Sequence, residues 1–234
     1  MVIDVNKCVG CGLCLPYCPV RAISIVDGKA TVNFDLCVEC GNCRFAKVCP
    51  RDAIVQQTLA WPRLIRAIFS NVRQRSPNTG IPGRGTQEMK TNDVTNRYPE
   101  GVVGITCEMG RPSTGASFRD VEYIAKIVVK HGVKLEKENP SFIVFREDEP
   151  GVVKDEFKNE RALYFLIEGC MEPAGLPALL EELKEAQKHI DTVFSVDVIC
   201  RMADGKIPAM EQLREAGVEP RPNGKTNVGV GRAG

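Results

Sequence analysis

Eight of the chain's eleven cysteines fall between positions 8 and 49, in two runs of matching rhythm. The first is Cys8, Cys11, Cys14 and Cys18-Pro19; the second is Cys37, Cys40, Cys43 and Cys49-Pro50. Three thiolates two residues apart let one looping backbone wrap three corners of an iron–sulfur cubane, with its amides turned toward the sulfurs. The fourth corner must come from elsewhere in the chain. Two other chemistries use cysteine at short spacing. Zinc takes paired CxxC knuckles, and the third cysteine would be surplus in each half. Disulfides suit secreted chains, and CxxC spacings make poor structural bridges. The start, MVIDVNKCVG, carries no signal-peptide core, and no apolar run approaches the roughly eighteen residues of a membrane helix. A cytoplasmic protein with no transmembrane segment is therefore expected.

The elements that position these cysteines repeat with them. CVGCGLCLPYCPVRAIS, from Cys8, aligns with CVECGNCRFAKVCPRDAIV, from Cys37, once two residues are inserted before the last cysteine. Residues 23–26 and 30–32 flank Asp27-Gly28-Lys29, which reads as a hairpin. A duplicated module over residues 1–57 follows. It holds few aliphatics, and modules so small usually need a metal or covalent staple.

The first motif as it stands resembles the signature of bacterial-type two-[4Fe–4S] ferredoxins, and the likeness covers residues 1–57. The resemblance implies two [4Fe–4S] clusters that exchange ligands between the motifs. Cluster I would take Cys8, Cys11, Cys14 and Cys49; cluster II would take Cys37, Cys40, Cys43 and Cys18. The second motif departs in having five residues before Cys49, where the family's simplest form has three. Residues 44–48 are accordingly expected to bulge on the approach to cluster I. All-cysteine ligation leaves no open iron site, so the implied role is transfer of single electrons in a reducing, anaerobic cytoplasm. Val9, Leu13, Leu15, Ile23, Val38 and Ile54 are the expected apolar wrapping.

Charge divides the rest of the chain. The net charge of +1 resolves into +1 for residues 1–57, +5 for 58–98 and −5 for 99–234. In the basic middle part, Leu64, Ile65, Ile68, Phe69 and Val72 recur at helical spacing, with Arg63, Arg66 and Arg73 on other faces. This helix, over residues 62–75, reads as a solvated connector, a docking surface or a membrane-surface helix, its apolar face packed on this protein or a subunit rather than on lipid. No aromatic platform accompanies its arginines, which argues against nucleic acid. The Gly/Pro-rich stretch after it reads as a linker, and residues 80–85 with Arg84 as part of that linker rather than an anion cradle.

The third part reads β-α-β-β-α-β, with strands over residues 102–106, 142–145, 162–167 and 193–199. Ser117 with Asp120 caps the first helix, whose apolar face is Val121, Ile124, Ala125 and Val128. Leu176, Leu179, Leu180, Leu183 and Ala186 line the second. A short helix over 208–216, stopped by Gly217, and a tail strand near 227–230 are added. The fold class is α+β: a dicluster ferredoxin module joined by a basic linker to a ferredoxin-like (βαββαβ) antiparallel sandwich. The stretch GRPSTGASFRDVEYIAKIVVKHGVKLE resembles the strand-to-helix turn of ACT-type domains, which implies a ligand-sized or pairing surface there.

Cys107, Cys170 and Cys200 end the first, third and fourth strands. With the first and third strands read as parallel neighbours, Cys107 and Cys170 share one end of the sheet and Cys200 lies at the other. Buried small hydrophobes are the simpler reading of all three. His131 and His189 sit at helix ends, where a cation suits the helix dipole. The leading function is an electron-transfer protein or subunit serving a redox partner protein or enzyme complex, with the C-terminal domain docking or pairing copies as a homodimer. Two alternatives stay open: a reductase or maturation factor with a substrate site at Cys107, Cys170 and the Arg111-Pro112 turn, or an ACT-like ligand-sensing regulator of electron flow.

Overall fold

The computed structural model describes residues 1–75, 77, 80, 98–111 and 114–219. Four short strands frame its N-terminal part: β1 (Val2–Ile3), β2 (Ile23–Val26), β3 (Lys29–Val32) and β4 (Ile54–Val55). β1 pairs with β4 and β2 with β3, both antiparallel. The expected hairpin forms, with Asp27 and Gly28 at φ 49° and 71°, the positive pair that a tight hairpin turn demands.

The sequence repeat is also a hydrogen-bond repeat. Asp4 N–H donates to Ala53 O at 2.8 Å, and Asn33 N–H donates to Ala22 O at 2.7 Å. Cys8 N–H donates to Asp4 O at 2.9 Å, and Cys37 N–H to Asn33 O at 3.0 Å. The longer spacing before Cys49 is spanned by a turn of helix, α1 (Asn42–Phe45), and by a turn through Lys47, which lies in the left-handed region at φ 51°. The first motif has only the 3-10 turn Leu15–Tyr17 there.

The rest of the described chain builds one large core. Helix α2 (Leu64–Ser70) buries Ile65, Ile68 and Phe69 in it. There follow β5 (Val103–Met109), β6 (Ala116–Ser117), α3 (Phe118–Lys130), β7 (Lys134–Leu135), β8 (Arg161–Ala162), β9 (Phe165–Met171), α4 (Leu176–Ala186), β10 (Phe194–Ile199) and α5 (Met210–Glu215). A four-stranded sheet runs in the order β10-β5-β9-β7 with every neighbour antiparallel. A minor ribbon pairs β6 with β8.

α3 and α4 bury the apolar faces the sequence assigns to them. Ser117 caps α3 as expected, accepting from Asp120 N–H at 3.1 Å and donating its hydroxyl to the Asp120 carboxylate at 2.7 Å. α5 is shorter than the helix expected over 208–216, and Gly217 beyond it lies at φ 63°.

Two expectations are corrected. Residues 142–145 are no strand; Pro140–Val144 is a 3-10 turn, and the second strand of the sheet is β7. Local chemistry overrides the β-branched pattern there: Pro140 opens the turn, and the Asn139 side chain caps it by accepting from Ser141 N–H at 2.8 Å. The basic helix of the middle segment packs its apolar face on this protein, as expected, and of its readings the solvated connector is the one set aside. Its apolar side belongs to the large core, where Phe69, Phe118 and Phe165 meet edge to face at 5.0–6.4 Å. The stretch carrying Arg84, residue Pro112 and the strand expected near 227–230 lie outside the described residues.

Candidate metal centre

Left-handed backbone shapes both cysteine loops. Gly10 and Glu39 occupy matching positions at φ 69° and 56°, and Gly12 and Gly41 match at 75° and 76°. After each Cys-Pro, Arg21 and Asp52 match again at 50° and 47°. Alternating the hand of the backbone turns the loop around a point and presents its amides inward, as a nest does. Gly10 has a further reason to be glycine, since a Cβ there would lie 2.0 Å from Gly28 O on the hairpin.

Each loop borders a hollow. One is lined by Cys8, Cys11, Cys14 and Cys49, with Ile3, Ala30, Ala53 and Ile54 among its walls. The other is lined by Cys18, Cys37, Cys40 and Cys43, with Ala22, Ile23, Val32 and Val38. Each therefore draws three cysteines from one motif and the last from the other. Among the described residues, no three His, Cys, Asp or Glu side chains converge on the point a single ion would occupy. The thiols stand around a volume instead.

Backbone amides point at the sulfurs. Ala22 N–H donates to Cys18 Sγ at 3.0 Å and Ala53 N–H to Cys49 Sγ at 3.3 Å, another matched pair. Ala30 N–H donates to Cys8 Sγ at 3.3 Å. The amides of Ala30 and Gly10 hold the Cys8 thiol below its ordinary range. Burial pushes the other way elsewhere: Cys14 and Cys37 rise, Cys40 reaches about 11 and Cys43 about 12. Burial of this kind favours the neutral thiol, so a bound cation such as iron would be what draws these groups into the thiolate form. The residues present thus fit a multi-iron group: soft donors at four corners, amides on the sulfurs and apolar walls.

Comparison with known proteins agrees. Residues 1–24 match the family described as 4Fe-4S binding domain, a span that holds the first motif and ends before the second. Ferredoxin-1 of Rhodobacter capsulatus is 45% identical over 40 residues, which are 17% of this chain and 62% of that protein. Pyruvate synthase subunit PorD of Thermotoga maritima is 41% identical over 54 residues, 23% of this chain and 52% of the relative. Ferredoxin YfhL of Escherichia coli is 42% identical over 51 residues, 19% and 57% respectively. The chain carries a 4Fe–4S ferredoxin module at its N-terminus. It spans between half and two thirds of the length of these relatives.

The module's two loops differ in what covers them. Val9 of the first is 59% exposed, whereas its counterpart Val38 is 1% exposed. Leu13 also faces outward at the rim, so only part of the expected wrapping is buried. Cys11 is exposed and Cys40 buried. The cover on the second loop comes from α2 and the residues before it. Arg66 Nη1–H donates to the carbonyls of Phe34 at 2.9 Å, Asp35 at 3.1 Å and Cys37 at 2.8 Å, while its Nε–H pairs with Glu160. Arg63 Nε–H donates to the fully buried Glu39 at 2.8 Å, and Glu39 also takes the Met1 amine. The Arg73 guanidinium lies 4.1 Å from the centre of the Phe45 ring.

Sequence reasoning missed Arg63, Arg66 and Glu39. One signal was present: Glu39 stands where the first copy of the repeat has Gly10. The arginine spacing alone gave none, because a partner on another segment decides which helix face is buried.

Outside the module, the expected meeting of Cys107 with Cys170 is corrected. β5 and β9 run antiparallel, with Cys107 opposite Ile167 and Cys170 opposite Gly104. Gly104 also faces Ile199, so Cys170 and Cys200 lie toward one end of the sheet and Cys107 toward its middle. Alternation places Cys107 and Cys170 on opposite faces. Burial raises the Cys107 thiol to about 12. Arg111 reaches Glu108 at 3.1 Å and stacks on Tyr164 at 4.1 Å. His131 ends α3 and contacts Glu182 at 2.6 Å, as befits a helix terminus. Among the described residues, no helix is long and apolar enough to cross a membrane.

Proposed function

We propose that the chain is an iron–sulfur electron carrier or oxidoreductase subunit holding two [4Fe–4S] clusters. Cys8, Cys11, Cys14 and Cys49 hold the first, and Cys18, Cys37, Cys40 and Cys43 the second. The observation behind this is the pair of hollows, each lined by three cysteines of one motif and the last cysteine of the other. When bound, such clusters supply exchange of one electron at a time. The chain's part is to line the second hollow's sulfurs and most of the first's with apolar walls, to offset their charge with the amides of Ala22, Ala30 and Ala53, and to resist rearrangement through the paired strands.

The remaining described chain, read as a split βαβ sandwich, serves as the platform that presents the module to a redox partner protein. The strand order and antiparallel pairing support that reading. Residues 1–57, 58–98 and 99–234 remain the working division, with α2 of the middle part anchored in the last. Clusters of this kind suit a reducing compartment, and the cytoplasm is the natural one. Protein isolated or reconstituted without oxygen is expected to hold about eight iron per chain and to take up electrons in spectroelectrochemical titration. About four iron, or zinc in place of iron, overturns the two-cluster reading.

A further inference from the structure

The two cysteine loops share one backbone plan, yet only the second is built into a charged, buried network. Glu39 sits between the ligand positions Cys37 and Cys40 with no exposed surface, and it meets Arg63 and the Met1 amine. Arg66 is 4% exposed and spends its guanidinium on Glu160 and on four carbonyls, those of Phe34, Asp35 and Cys37 in the loop and that of Asn159. The same place in the first loop holds Gly10, packed on the hairpin turn, which offers no carboxylate where the second loop has Glu39. The Lys29 ammonium of that turn donates to the Cys8 carbonyl, but from a half-buried position. Both arginines stand on a segment whose apolar side is locked in the large core, and Ser70 at its end accepts from Leu163 N–H at 2.8 Å.

We propose that Arg66 is a positioning residue that sets the second cluster apart from the first, by fixing the Cys37 loop and holding a buried, pinned cation on the Cys37 carbonyl. The first loop has only the half-buried Lys29 on the Cys8 carbonyl. This rests on the two-cluster reading and goes beyond it. Reduction adds a negative charge to a cluster, so a nearby fixed cation in a water-poor site favours the reduced form, and a carboxylate disfavours it. Arg66 is pinned from both sides, by Glu160 on the C-terminal part and by the loop carbonyls on the module. The C-terminal part thereby acts on the second cluster without offering it a ligand. The first cluster lies outside this network, with Val9, Leu13 and Cys11 open to solvent.

The test is an anaerobic redox titration of the full chain, followed by electron paramagnetic resonance, for the wild type, Arg66→Met, Arg66→Lys and Glu39→Gln. A Cys11→Ser variant, which alters a ligand of the first cluster alone, assigns the signals. Arg66→Met is expected to lower the reduced-to-oxidised ratio of the second cluster about tenfold at fixed potential, a shift of about 59 mV for one electron. Arg66→Lys keeps the charge and loses the fork, so it recovers part of the shift. Glu39→Gln moves the same cluster the opposite way and leaves the arginines in place. With about eight iron bound, equal movement of both clusters, or movement of neither, overturns the inference alone. A loss of thermal stability in Arg66→Met with an unmoved second potential assigns Arg66 to structural glue and overturns it too. Four iron or fewer in the wild type overturns the two-cluster reading, and this inference with it.

Discussion

The first and second cysteine loops are the same construction met by different surroundings. Their φ angles, their Asp4/Asn33 turns and their amide-to-sulfur bonds match position by position. Their exposure does not: residues 9–13 lie at the surface or partly open, while 38–41 are buried beneath the arginines of the basic segment. Local sequence thus builds a loop able to hold a cluster, and tertiary packing decides how far that loop is shielded and charged. Shielding and nearby charge are what tune such a centre, so copies with one ligand pattern become inequivalent sites.

The strongest way to break this comparison is at Cys18 and Cys49, the ligands proposed to cross between the motifs. Cys49→Ser is expected to remove the first cluster and halve the iron from about eight to about four, with the second cluster's signal retained. Cys18→Ser should do the converse. Loss of the second cluster in Cys49→Ser would show that each loop holds its own four ligands. A smaller effect tests the source of the cover. Phe69→Ala opens the aromatic triangle with Phe118 and Phe165 and is expected to cost about 3–5 kcal/mol of stability. In that variant, hydrogen exchange should quicken at residues 38–41 and stay unchanged at 10–13; equal quickening in both would detach α2 from the asymmetry.

The counterparts Val38 and Val9 sharpen it further. Val38→Ala should cost about 2 kcal/mol in denaturant unfolding, the scale of a buried valine, and Val9→Ala less than about 0.5 kcal/mol. Similar values for the two would mean that both loops are covered in solution. The gentlest test extends the comparison to cysteines beyond the hollows. Burial raises the Cys107 thiol to about 12, so the folded protein keeps that proton, and the stability this contributes is lost only as pH climbs from 9 toward 12. At pH 8, iodoacetamide is expected to label Cys170 and Cys200 before Cys107, as read by peptide mass. Early labelling of Cys107 would place it at an accessible site.

Much of the module was legible in the sequence because its information is local. Cysteine spacing, the Asp27-Gly28 turn and the repeat all act within a few residues, and the Ser117 cap and the helix faces of α3 and α4 were readable for the same reason. The errors lie where local signals compete or where strands pair at a distance. Residues 142–145 look extended until Asn139-Pro140 is weighed as a turn opener. Cys107 and Cys170 looked adjacent only because the direction of β9 relative to β5 was misjudged, and one reversal of direction sends two such residues apart.

By itself, the sequence determined that this chain can wrap multi-iron groups, because ligand type and spacing act through the geometry of a short backbone loop. It also determined two amphipathic helices and most of the strands of the larger core, through the period of their apolar residues. The family resemblance already implied that Cys18 and Cys49 cross between the motifs; only the tertiary structure decided that Arg63 and Arg66 face the module rather than solvent, and that Glu39 is buried. Those outcomes depend on which distant surfaces meet. A guanidinium with a carboxylate and four carbonyls in reach is buried, and the same side chain without them stays in water.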